Sequence, residues 1–121
     1  MTTYHRNTAG IDKANQLIDA HQYVLESDWS EAQPSPDDEN EKIDRDGYDG
    51  FGEWHLAIDP DAGEGTKERF GFVFGDFRRL HRSGLIAAKQ RAAEWDHSEI
   101  VKTADELLER LDAGSGGSEN S

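Results

Sequence analysis

Two apolar stripes at helical spacing near the C-terminus constrain this chain more than any other feature. Phe77, Leu80, Gly84, Ala88, Arg91 and Trp95 fall on one face of a helix, with Asp76 placed to cap it. Ser98 caps a second helix in which Val101, Ala104, Leu107, Leu108 and Leu111 face inward, and Gly114 lies just past its end. Asp96 and His97 join the two, and so short a connection makes the helices antiparallel neighbours. Gly84, Ala87 and Ala88 let a neighbouring helix approach closely.

The same periodicity continues upstream. Ile11, Ala14, Leu17 and Ile18 recur at helical spacing. Ser35-Pro36-Asp37-Asp38 has the form of an N-cap, a first-turn Pro and acids on the macrodipole, opening a short polar helix to about Arg45. Tyr48, Phe51, Trp54, His55 and Ile58 share one face of a further helix, weakened by Gly50 and Gly52 and ended by Asp59-Pro60. Residues 26–34 read as an irregular stretch with Trp29 tucked in. The expected fold is therefore all-α: a small helical bundle with a C-terminal antiparallel hairpin and an irregular aromatic-rich connector. Residues 1–9 read as a flexible N-terminus, 10–113 as a single helical domain and 114–121 as a disordered acidic Gly/Ser tail.

Charge limits the function. The 121 residues carry 26 Asp and Glu against 13 Lys and Arg, a formal net charge of −13. Phosphate attraction needs positive faces, so nucleic acid is not an expected partner. The charge is also uneven: residues 26–64 sum to −12 and residues 67–91 to +5. Such an excess of acids repels itself in dilute salt, whereas at ~1 M salt the Debye length is about 3 Å and the repulsion is screened. Acid excess with only five Lys points to a chain adapted to high salt. Cysteine is absent, which excludes disulfides and thiolate chemistry. No apolar run approaches the roughly 18 residues of a membrane span and no signal peptide is visible, so a soluble, cytoplasmic monomer or homodimer is expected.

Several strings invite a functional reading. Arg69-Phe-Gly-Phe-Val-Phe74 resembles part of an RNA-recognition signature but lacks a Gly after the basic residue. An extended connector burying Phe70, Phe72 and Phe74 on one face is the simpler expectation. The acids at 59–64 echo a calcium loop, yet Phe70 stands where the bidentate Glu belongs. No metal-ligand spacing joins the five histidines, and no Ser-based catalytic motif is present. Arg78, Arg79 and Arg82 are clustered in a chain short of positive charge. They serve either as an internal clamp on the acidic 26–64 segment or as a grip for an anion.

The blocks Ser27–Ser35, Glu53–Leu56, Arg69–Phe72 and Gly75–Ala88, with the closing Ala-Asp-Glu-Leu-Leu, resemble a small protein family of bacteria and haloarchaea with no assigned activity. The resemblance covers about residues 11–112 and implies no catalytic residue. In that family Pro often stands at the position of Val73, which implies an irregular connector there and not a central strand.

Two functions are consistent with these residues. One is a non-enzymatic module that binds a protein partner or small anion through Arg78, Arg79, Arg82, Trp54 and His81, or through an aromatic groove around Trp54, Phe74 and Trp95, with no cofactor. The other is a small metal-dependent enzyme or metal-binding protein built from His55, His81, Asp59 and Asp76. The salt reading carries its own test: the melting temperature should rise between 0.1 M and 2 M KCl in a thermal scan.

Overall fold

The computed structural model describes residues 4–114, so the expectations for residues 1–3 and 115–121 lie outside the described residues. The chain runs β1 (His5–Arg6), α1 (Thr8–Asp19), β2 (Tyr23–Val24), α2 (Trp29–Ala32), α3 (Pro36–Gly52), β3 (His55–Ile58), a 3-10 turn (Lys67–Arg69), β4 (Phe70–Val73), β5 (Leu80–His81), α4 (Arg82–Glu94) and α5 (Ser98–Gly114). The fold is mixed α/β, which corrects the all-α expectation. One sheet has the antiparallel order β1-β3-β4, and a second is the parallel pair β2-β5.

The C-terminal hairpin forms as expected, with its first helix shortened. Helix α5 buries Ile100, Thr103, Ala104, Leu107 and Leu111. Helix α4 starts at Arg82 and buries Gly84, Leu85, Ala88 and Ala92, leaving Arg91 and Trp95 outside the seam. Arg82–Asp112 and Lys89–Asp105 ion pairs link the two antiparallel helices. These pairs are half-exposed and contribute little beside the apolar seam.

The segment before α4 differs because Asp76 caps a turn and not a helix. Its Oδ1 accepts the N–H of Arg78 at 2.9 Å and of Arg79 at 2.8 Å, while Phe77 takes a left-handed φ of 70°. The chain thereby reverses, and Leu80 and His81 pair in parallel with Tyr23 and Val24.

The other correction concerns Trp54–Ile58. The capping box at Ser35 forms in both directions, with Asp38 as its partner, and α3 kinks at Gly47, whose φ of 77° and ψ of 175° only glycine adopts easily. The helix resumes only to Gly52; His55–Ile58 is the central strand of the antiparallel sheet. His55, Leu56 and Ala57 are all buried, because β3 is covered on both faces. A short apolar run of this kind carries no periodicity that separates strand from helix.

Residues 4–9 are built into the fold, contrary to the expected flexible start. His5 and Arg6 pair with Ile58 and Ala57, and the buried Asn7 side chain donates to the carbonyls of Gly52 at 2.9 Å and His55 at 3.0 Å. The aromatic string forms β4, an edge strand of the antiparallel sheet. Phe72 has a φ of 64°, which breaks the alternation. Phe70 therefore meets Phe51, Phe72 meets Tyr4, and Phe74 meets Trp54. None of the described helices is long and apolar enough to cross a membrane.

Gly84 gives a direct test of the packing. A Cβ there would lie 2.8 Å from the Phe74 carbonyl oxygen and 3.0 Å from the Trp29 ring. Alanine favours a helix by about 1 kcal/mol over glycine, but forced overpacking costs about 1–3 kcal/mol. Gly84→Ala should lower the melting temperature; a rise would contradict this geometry.

Candidate functional site

The parallel pairing of β2 with β5 builds a polar chain that local sequence does not announce. Val24 lies opposite His81, so the loop after β2 brings Ser27 to the edge of the His81 ring. His81 Nδ1 lies 2.9 Å from Ser27 Oγ, and His81 Nε2 lies 2.9 Å from Asp76 Oδ2. An ionised carboxylate only accepts, so Nε2 carries a hydrogen, and in the neutral ring Nδ1 then accepts the Ser27 hydroxyl. Ser27 Oγ also lies 2.8 Å from Ser83 Oγ, at the start of α4. His81 is buried, with the Trp29 ring 5.8 Å away, whereas Ser27 is half-buried.

Electrostatics fit that arrangement. Burial pushes the Asp76 carboxyl upward, but hydrogen bonds from the Arg79 N–H, the His81 ring and the Arg78 N–H outweigh it and hold Asp76 below the usual carboxylate range. The carboxylate thus stays charged and fixes the imidazole tautomer.

A second feature lies beyond Trp29. An open groove of about 670 Å3 runs along β4, walled by Tyr4, Trp29, Phe72, Trp95, His97 and Arg91. Tyr4, Phe72 and His97 pack edge to face, with ring centroids 5.4–5.8 Å apart. Trp95 is 70% exposed, an unusual state for so large an apolar side chain. Burial raises the Tyr4 hydroxyl pKa, with the Asp59 carboxylate adding to the rise and the Arg91 charge opposing it. Glu39 also reaches the groove, but its carboxylate is paired with Lys67 at 3.3 Å. Arg91 has no acidic partner among the described residues.

The expected site residues are scattered. Arg82 grips Asp112 through two bonds of 2.8 and 3.1 Å. It clamps α4 to α5, so the clamp on residues 26–64 is not formed. Arg78 and Arg79 are exposed, and neither guanidinium has an acidic partner among the described residues. Trp54 and Phe74 belong to the core, at 2% and 0% exposure, and do not line a groove. Of the three aromatics proposed for a groove, only Trp95 lines one.

The metal cluster is not assembled either. His55 is buried against Phe51 and Phe70, with Nδ1 bonded to the Phe51 carbonyl. Asp59 closes the turn after β3, where its carboxylate accepts the Asp61 N–H. No three His, Asp or Glu side chains among the described residues are placed to hold a metal ion. Sequence reasoning gave no functional role to Ser27, Tyr4, Arg91 or His97; of the groove residues it proposed Trp95, and the aromatic string signalled Phe72.

Comparison with known proteins adds no constraint: no family model, no curated protein and no solved structure matches the chain.

His55 gives the site region a measurable pH response. Desolvation is the main cause lowering its pKa from 6.5 to about 4, against the opposing effect of ring N–H donation to the backbone carbonyls of Phe51 and Gly52. The folded state then binds fewer protons than the unfolded state between these values, so stability is full above pH 6.5 and falls as the pH drops towards 4. At 1.36 kcal/mol per unit the His55 contribution is about 3 kcal/mol. Denaturant melts from pH 7 to 4.5 should show the loss, and His55→Phe should flatten it.

Proposed function

We propose that this chain is a binding module whose aromatic groove holds a small ring-bearing carboxylate, in a cytoplasm of high salt. The observation that carries this reading is the unpaired Arg91 beside an open, aromatic-walled groove of about 670 Å3. That volume lies in the range of small-molecule sites, which combine apolar walls with a few placed polar groups. Arg91 supplies the polar recognition, because a guanidinium pairs a carboxylate through two parallel bonds. Tyr4, Trp29, Phe72 and Trp95 supply faces and edges for a ring.

The anion-binding role thus passes from Arg78, Arg79 and Arg82 to Arg91. Stacking also suits a protein of net charge −13 at high salt, because salt does not screen apolar contacts. The likeness to the bacterial and haloarchaeal family belongs to the same proposal and adds no ligand.

The reading is tested with 3-phenylpropionate and its uncharged amide, followed by NMR. The carboxylate should shift the Trp29 and Trp95 indole signals, and Arg91→Ala should weaken binding about tenfold, or about 1.4 kcal/mol. Equal binding of the amide, or no effect of Arg91→Ala, would overturn it.

A further inference from the structure

We propose that Ser27, His81 and Asp76 form a nucleophile, base and acid relay that hydrolyses small carboxylic esters. The proposal is independent of the groove and its ligand. Three side chains from the β2–α2 loop, the Gly75–Leu80 turn and β5 meet here in one hydrogen-bonded line. A nucleophilic serine needs three things: a base within hydrogen-bond reach, a third group that orients the base, and donors for the developing oxyanion.

Each requirement has a named group. His81 Nδ1 stands 2.9 Å from Ser27 Oγ, within reach of its proton. Asp76 holds the opposite ring nitrogen at 2.9 Å, and is itself anchored by the N–H groups of Arg78 and Arg79. The carboxylate therefore fixes the tautomer that leaves Nδ1 free, and it stabilises the imidazolium once formed. The Ser83 hydroxyl, 2.8 Å from Ser27 Oγ, is the nearest oxyanion donor. The first N–H groups of the 13-residue helix α4 adjoin it, without carbonyl partners inside the helix. Burial is graded to match: the His81 side chain is 6% exposed, whereas Ser27 is half-buried at the outer end of the line. The ring nitrogens are used in the reverse order from the Ser-His-Asp template, and the relay is recognised by geometry and roles.

The chemistry balances without a cofactor. Ser27 Oγ bonds to the ester carbonyl carbon as its proton passes to His81 Nδ1, and the carbonyl oxygen takes the charge. Collapse breaks the bond to the alcohol, which leaves with the Nδ1 proton. Water then attacks the acyl-serine, giving one proton to Nδ1. The acid departs and Ser27 recovers that proton. Ester and water become acid and alcohol. The closeness of Trp29 and Ser83 restricts the acyl group to a short one.

The test is labelling of the full chain with a fluorophosphonate, followed by peptide mass mapping, alongside hydrolysis of p-nitrophenyl acetate. A single adduct at Ser27 is expected, with Ser27→Ala abolishing labelling. Asp76→Asn and His81→Gln should slow it at least 100-fold while circular dichroism reports an intact fold. If those two variants do not fold, the wild-type protein decides alone. No adduct at Ser27 on the folded wild-type chain, or ester hydrolysis by folded Ser27→Ala at the wild-type rate, would overturn the proposal.

Discussion

Burial of strand β3 on both faces is the constraint from which the rest of the structure follows. Leu56 and Ala57 have no exposed surface, and the flanking chain turns to serve them. β1 and β4 satisfy the strand's backbone on either side, while α1 and α5 pack across it. The buried Asn7 side chain donates to the carbonyls of Gly52, just before the strand, and of His55, its first residue, where an unpaired buried acceptor would cost about 1–3 kcal/mol. Because β4 is held at the sheet edge, its aromatic side chains are delivered to the α4–α5 hairpin, and the groove forms between them.

Charge plays a smaller part than its amount suggests. The +5 segment does not grip the −12 segment as a unit; among the described residues the Lys and Arg ion pairs link them only at Glu39–Lys67, and the others join α4 to α5, α1 to α5 or neighbours within α3. Most acids therefore remain at the surface, where salt and not a partner charge relieves their repulsion. What seats the acidic front portion is apolar: Phe51 packs against Phe70 and Phe77, and the Trp29 ring touches the start of α4 where Gly84 leaves room.

Trp29 links the two features of functional interest. Its ring centroid lies 5.8 Å from that of His81, and the same residue lines the groove. The groove and the relay nevertheless rest on different chemistry, stacking with a guanidinium in one case and a directed proton in the other.

The amino-acid sequence determined the α4–α5 hairpin, helix α1 and the Ser35 capping box, because periodicity and caps act between residues about four apart. Tertiary structure alone decided the strands, which are only two to four residues long. It decided the roles of the charged and polar side chains as well. Asp76 looked like a helix cap and caps a turn, and Arg82 looked like a tether for the front portion and binds Asp112. Ser27 meets His81 across 54 residues and Ser83 across 56, and Asn7 meets His55 across 48. Partners that far apart leave no local pattern, since the fold brings them together only after the apolar surface has been buried.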